Sequence, residues 1–235
     1  MGKPTPATHD ARFSDLVGLM ARLRGPEGCP WDREQDHRSL RPCLLEETYE
    51  VLEAIDRDDP EALRQELSDL LLQVVFHAQL AAEAGRFDIN DVVTAIHDKL
   101  VARHPHVFGD ASAETPEAVL HQWDGLKRKE REAPASDLFT EVPRAMPALA
   151  RTQLVQRRAA RAGMARTAAE ARAAAKAALA GVAGAADSKA AETAVGDLLL
   201  TVVDLAQAAG VEAEQALRER TERLASRLRE GHCLG

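Results

Sequence analysis

Five acidic residues in two short clusters carry the densest chemistry in the chain: Glu46, Glu47 and Glu50 within Glu46-Glu47-Thr48-Tyr49-Glu50, and Glu66 and Asp69 within Glu66-Leu67-Ser68-Asp69. Spacings of three and four residues place side chains one turn apart on one face of an α-helix. Between Leu44 and Asp69 there are ten acids and two bases, Arg57 and Arg64. Carboxylates gathered there repel one another unless a cation joins them. A set of oxygen donors without sulfur or imidazole suits a hard ion, Mg²⁺ or Mn²⁺. Magnesium keeps coordination positions for water and phosphate oxygens, so such a site favours phosphoryl chemistry over storage.

Two helices have to position these groups. The first is predicted from an N-cap at Ser39 to about Arg57, with Pro42 in its first turn, where a missing N–H is harmless. On its wheel Glu46, Glu50 and Glu53 form a stripe with Glu47 on the flank, opposite Leu45, Val51, Leu52 and Ile55. That stripe alone is what any solvated amphipathic helix shows. The second helix starts at Asp58 or Asp59 before Pro60 and stops at Gly85. Its Leu70, Leu71, Leu72, Val74, Val75 and Phe76 point in nearly all directions, predicting a helix buried on most sides. Glu66 and Asp69 then sit at the edge of a core, where unpaired charge is costly. The turn Asp56-Arg57-Asp58-Asp59-Pro60 makes a hairpin that sets Glu47 and Glu50 opposite Glu66 and Asp69. A carboxylate-bridged di-iron bundle needs Glu-x-x-His on two helices. Glu34 and His37 supply that spacing only once, in a Gly/Pro-flanked stretch.

Residues 13–24 have helical spacing and lead into the loop-like GPEGCPWDREQD. A fourth helix is expected over about 89–103, ending in HPHVFGD, and Thr115-Pro116 opens a fifth. The stretch EAPASDLFTEVPRAMP carries three prolines and reads as a linker over 133–145, separating a catalytic repeat, 1–132, from a second repeat, 146–235. The second half is alanine-rich, which favours helix but offers little apolar area to bury. DLLLQVVFHAQLA at 69–81 and DLLLTVVDLAQAA at 197–209 agree at nine of thirteen positions, so two copies of one helical unit are present. In the second copy Ala194 stands where Glu66 stands in the first, and ARAAAKAALA replaces the first acidic cluster. Asp197 alone cannot hold Mg²⁺ against water. Arg223 and Arg227 keep the spacing of Lys99 and Arg103. The second copy is therefore expected to be degenerate, structural or dimer-forming.

With 45% hydrophobic but only 3% aromatic residues, the chain lacks the texture of a sandwich or barrel, and an all-α fold is expected. The formal net charge of −8 argues against phosphate-backbone binding to nucleic acid and against anionic membrane surfaces. Cys29, Cys43 and Cys233 form no C-x-x-C pair, which disfavours a disulfide framework or zinc site and suggests a reducing cytoplasm. The N-terminus has no apolar h-region and no apolar run is long enough to span a membrane, so neither export nor anchoring is expected. No Walker, GxGxxG or GxSxG motif supports a kinase, dehydrogenase or serine-hydrolase reading.

The two acidic clusters, in the order EExxE then ExxD, resemble the signature of the MazG family of nucleoside triphosphate pyrophosphohydrolases. Together with GCPWD at 28–32, GRFDINDV at 85–92 and KLVARHPHVFGD at 99–110, the resemblance covers most of residues 13–132. It implies tandem MazG-like helical repeats in a four-helix-bundle type of fold assembled by dimerisation. It also implies hydrolysis of nucleoside triphosphates, standard or non-standard, to nucleoside monophosphate and pyrophosphate with Mg²⁺, for which Mn²⁺ can substitute. Carried over to this chain, the metal ligands are Glu47, Glu50, Glu66 and Asp69. The catalytic carboxylates are Glu46, Glu47 and Glu50, with Glu46 orienting or deprotonating water for in-line attack at the α-phosphorus.

Lys99 and Arg103 fall at i and i+4 where the family contacts phosphates; the alternative is a basic helix end compensating the dipole. Trp123 and Lys127 match the family's W-x-x-x-K, with the indole either stacking on a base or anchoring a core. Trp31 is expected to pack its loop, His104 and His106 to order a loop end, and His77 and His97 to be structural. Narrower readings within the superfamily are a dimeric dUTPase or a phosphoribosyl-ATP pyrophosphatase. A non-catalytic helical scaffold binding nucleotide or a partner is the reading from a different class.

Overall fold

The structure, a computed structural model, describes residues 11–113, 115, 118–119 and 142–230. Trp123, Lys127, most of the fifth helix read from the sequence and most of the 133–145 span lie outside the described residues. The described chain is helical, with no strand among the described residues. It divides into two compact units, Met1–Lys127 and Arg128–Gly235. Among the described residues, no single helix is long and apolar enough to cross a membrane.

In the first unit α1 (Phe13–Arg24) ends where Gly25 and Pro26 interrupt the pattern. The chain then doubles back so tightly that a Cβ on Gly28 would lie 2.0 Å from the Leu23 carbonyl oxygen, and Cys29 N–H donates to that oxygen at 2.7 Å. Only glycine fits there. The GPEGCPWDREQD stretch is not wholly loop: α2 (Pro30–Glu34) is a short helix opened by Pro30. Next, α3 spans Arg41–Asp56 with Leu40 at its N-cap and Pro42 in the first turn. Ser39 is not the cap: its Oγ is turned back to the preceding turn, accepting from Asp36 N at 2.9 Å and donating to Gln35 Oε1 at 2.8 Å. Asp36 Oδ1 closes that turn by accepting from Arg38 N and Ser39 N, both at 2.7 Å, and at the third helical position a Ser39 cap would have met Pro42, which has no N–H to give.

The turn after α3 places Asp58 at φ +52° and Asp59 at the N-cap of α4 (Pro60–Glu83). Aspartate tolerates the left-handed region better than most side chains, and Asp59 accepts from Glu61 N and Ala62 N, both at 3.1 Å. This three-residue connection folds α3 and α4 back on each other as the expected hairpin. Gly85, at φ +64°, ends α4, and Asp88 with Asp91 forms a capping box at the start of α5 (Ile89–Arg103). A short α6 (Pro105–Phe108) follows.

The core of this unit joins Met20 of α1, Leu40, Val75, Phe76, Ala78 and Leu80 of α4, and Ile89 of α5. Arg24 binds its edge. The guanidinium lies 5.5 Å from the Phe76 ring centroid, donates to the Glu83 carboxylate at 2.7 Å, and also donates to the carbonyls of Asp32 and Gln35. One cation thus ties α1 and the α2 loop to the end of α4. Contrary to the sequence expectation, α4 is not buried on most sides. Leu67, Leu71 and Val74 are 47%, 40% and 41% exposed, and Leu45 and Tyr49 of α3 are exposed as well. The i, i+4, i+7 spacing of Leu67, Leu71 and Val74 makes an apolar stripe that the described residues leave exposed.

The second unit contains α7 (Ala148–Arg161), α8 (Ala168–Ala183), α9 (Ser188–Ala208) and α10 (Ala213–Arg229). Thr167 and Glu170 form a capping box on α8, and Asp187 caps α9. Buried Gln153 clamps the entry to α10, donating to Val211 O at 2.7 Å and accepting from Ala213 N at 2.9 Å. The unit's buried valines are Val142 and Val203, the latter at the position matching Val75; Ala171 and Ala213 fill other buried sites. Alanine-rich helices bury less apolar area per residue.

Candidate metal centre

The hairpin brings three of the predicted carboxylates together. Glu47 of α3 and Glu66 and Asp69 of α4 are half-buried, and one carboxylate oxygen from each lies within 4.8 Å of the others. Glu50 and Glu46 on α3 are exposed beside them. Glu50 lies outside that triad but close enough for its charge to act on both Glu47 and Glu66. Neither arginine of the acidic stretch neutralises the cluster: Arg57 pairs with Glu53 and Arg64 with Glu61. Among the described residues, no ion pair reaches Glu47, Glu66 or Asp69.

The electrostatics follow from this crowding. Burial first, then the charges of Asp69, Glu50, Glu46 and Glu66, pushes the Glu47 carboxyl above its ordinary value. Burial, then Glu50 and Asp69, does the same to Glu66. Three hard oxygen donors from two helices, with Glu47 and Glu66 penalised for their own charge, fit a divalent cation of the magnesium type. The donor set has no sulfur and no imidazole, which would favour zinc or iron.

Lys99 is exposed and Arg103 half-buried on α5, one turn apart as expected. Trp123 and Lys127 lie outside the described residues. Trp31 corrects the sequence expectation: its side chain is 57% exposed and does not pack the loop, which is held instead by Arg24 and by Gln35 Nε2 donating to Trp31 O at 2.9 Å. His77 is structural, stacked on His37 with their Nδ1 atoms 2.9 Å apart. His97 is exposed and pairs with its neighbour Asp98. His104 Nδ1–H donates to Leu100 O at 2.6 Å, closing the end of α5. The sequence reading missed Arg24 as an organising residue and also missed the burial of Gln73 on α4. No local pattern marks either, since their surroundings come from distant segments.

In the second unit Asp197 is exposed and Ala194 occupies the place of Glu66. A cavity of about 440 Å³ there is lined by Gln156, Met164, Arg166, Leu200, Asp204 and Gln207, but Asp204 is already paired with Arg166. Asp204 is the one carboxylate among its lining residues.

An all-α unit whose helical hairpin gathers carboxylates able to hold a metal ion has the donor set of a metal-dependent enzyme. The comparisons make this specific. Residues 35–108 match the MazG nucleotide pyrophosphohydrolase domain. The chain is 45% identical over 223 residues to the nucleoside triphosphate pyrophosphohydrolase of Escherichia coli K12, covering 92% of this chain and 85% of that protein. It is 40% identical over 218 residues to the nucleoside triphosphate pyrophosphohydrolase/pyrophosphatase MazG of Thermotoga maritima, covering 92% and 84%. A Mycobacterium tuberculosis nucleoside triphosphate pyrophosphohydrolase is 43% identical over 157 residues, 65% of this chain and 46% of that protein. The chain belongs to the MazG family of nucleotide pyrophosphohydrolases.

Proposed function

We propose that this protein is a cytoplasmic enzyme that hydrolyses nucleoside triphosphates, standard or non-standard, to nucleoside monophosphate and pyrophosphate, using Mg²⁺ held by the first unit. The observation that carries the reading is the convergence of Glu47, Glu66 and Asp69 from both arms of one hairpin. The names of the relatives, which cover most of both chains, support the substrate class.

Glu47, Glu66 and Asp69, joined by Glu50, hold the ion; Mn²⁺ can replace it. An ion held there would offset the repulsion between carboxylates and triphosphate and supply charge stabilisation at the α-phosphorus. Glu46 projects from the solvent side of the same helical turn and orients the attacking water. The water oxygen forms a bond to the α-phosphorus as its proton passes to a carboxylate, the α–β bridging P–O bond breaks, and pyrophosphate leaves with that electron pair. Glu47 and Glu50 complete the catalytic set. Lys99 and Arg103 take phosphate oxygens, with Trp123 and Lys127 at the nucleoside end. The second unit, lacking the carboxylates, acts as a degenerate structural or dimer-forming repeat. The exposed stripe of Leu67, Leu71 and Val74 supports a homodimer that completes the bundle.

The test is product analysis across a nucleotide panel. Purified protein with Mg²⁺ is expected to yield monophosphate and pyrophosphate in equal amounts, and none with EDTA. Release of diphosphate and inorganic phosphate, or turnover indifferent to EDTA, refutes the proposal.

A further inference from the structure

We propose that Gln73 is a positioning residue of the carboxylate cage, its side-chain carbonyl accepting a hydrogen bond from a water held by the bound cation. The inference rests on the reading of the cage as a Mg²⁺ site. Gln73 lies seven residues after Glu66 and four after Asp69 on α4, hence on the face that carries both. It is only 6% exposed, and its Oε1 is sealed from solvent without a hydrogen-bond partner among the described residues. Such an acceptor loses its hydration for nothing, and orphans of this kind are rare enough to need a cause.

The cause is local. Side chains on a helix lean toward its N-terminus, so Gln73 extends from its own turn back toward the turn of Asp69. The flanking α4 residues Leu72, Val75 and Phe76 have no side-chain donor to offer, and His77, one turn on, is engaged through Nδ1 with His37. Ionised carboxylates are acceptors only and cannot satisfy an amide oxygen. Gln73 Oε1 is thus left open to a donor that arrives with a ligand. Water on a divalent cation is a strong donor, and magnesium retains several such waters. The second unit supplies a contrast: Thr201 stands at the matching position, equally buried, and its Oγ1 donates to Leu198 O at 2.8 Å. At this position the second unit's polar group is satisfied within its own helix, while Gln156 and Gln207 elsewhere in that unit keep buried amide oxygens without a partner among the described residues.

The test uses the full chain and Mn²⁺ followed by electron paramagnetic resonance and water-proton relaxation, with melting in EDTA as a second readout. Gln73→Met keeps the volume, and Gln73→Thr installs the residue the second unit already tolerates. Both are expected to melt no lower than the unsubstituted protein without metal, because an orphaned acceptor is gone. Mn²⁺ affinity should fall by about tenfold to a hundredfold, the usual effect of removing a partner of a metal's ligands. The relaxation signal of cation-bound water should change with it. Unchanged Mn²⁺ affinity with a lower metal-free melting temperature would mean that Gln73 is merely structural. If the unsubstituted protein binds Mn²⁺ and Asp69→Asn abolishes binding while Gln73→Met does not, only the role of Gln73 fails. If the unsubstituted protein binds no Mn²⁺, the cage and this inference fall together.

Discussion

Glu47 and Asp69, 22 positions apart and on opposite arms of the α3–α4 hairpin, hold carboxylate oxygens within 4.8 Å although their charges repel. Neither is neutralised by the arginines nearby, which pair with Glu53 and Glu61. The turn at Asp58 and Asp59 and the apolar seam of the hairpin enforce an approach that the charges oppose. Cost in the metal-free protein and affinity for a cation therefore have one origin.

Glu47→Gln separates the two. The folded-state value of Glu47 lies above its ordinary 4.5. Its stabilising contribution is therefore complete below that value and lost as pH rises through the raised one. In EDTA the variant should melt level with the unsubstituted protein in acid and above it at neutral pH. With Mg²⁺ added, the unsubstituted protein gains melting temperature and the variant gains much less. Lower melting of Glu47→Gln at every pH would show that repulsion is not what the ion relieves.

Arg24 is the anchor of the first unit. Its side chain is 8% exposed and bonded to Glu83 and to two loop carbonyls. Arg24→Ala leaves those carbonyls and the carboxylate uncompensated and should cost about 2–4 kcal/mol in urea unfolding. Glu83, held below its ordinary value chiefly by the Arg24 hydrogen bond, stabilises above that value and loses its contribution as pH falls through the lowered one. Glu83→Gln should be milder, about 1 kcal/mol, and should flatten that acid limb. Equal costs for the two substitutions would contradict this assignment.

The His37–His77 pair predicts a pH effect of its own. Burial, then the charge of His37, holds His77 below its ordinary 6.5. Its contribution is present above that value and lost as pH falls through the lowered one. Melting curves of His77→Leu, the residue at matching position 205, should decline less on acidification than those of the unsubstituted protein. Parallel declines would show that burial does not hold His77 below its ordinary value.

Lys99 is exposed, so removing it should leave stability within about 0.5 kcal/mol. As a phosphate contact, Lys99→Ala should lower kcat/KM by about tenfold to a hundredfold in a pyrophosphate-release assay. Unaltered kinetics would return Lys99 to the dipole-compensating reading.

What was legible in the sequence was local or periodic. Asp59-Pro60 fixes the start of α4 because both act within one turn, and Glu47, Glu66 and Asp69 converge because a three-residue turn leaves the hairpin little freedom. Ser39 misled because its hydroxyl turns back to Asp36 N and Gln35 Oε1, and Pro42 leaves no N–H at the third helical position for a cap to bond. Trp31 misled because a large apolar side chain usually packs, and here Arg24 holds the loop instead. Arg24 with Glu83, 59 positions apart, and His37 with His77, 40 apart, depend on how helices pack and leave no trace in spacing. The apolar run of α4 gave the buried positions Val75 and Phe76 but not the exposed Leu67, Leu71 and Val74. Hydrophobicity alone does not say which face the same chain covers.

The central claim is that chemistry belongs to the carboxylates of the first hairpin and not to their remnant in the second unit. Asp69 and Asp197 occupy matching positions in the two copies, so Asp69→Asn and Asp197→Asn are the same chemical change made twice. Mg²⁺-dependent pyrophosphate release from a nucleoside triphosphate should fall by at least about a hundredfold in Asp69→Asn and remain near the unsubstituted rate in Asp197→Asn. Equal loss in both, or loss in Asp197→Asn alone, would contradict the account.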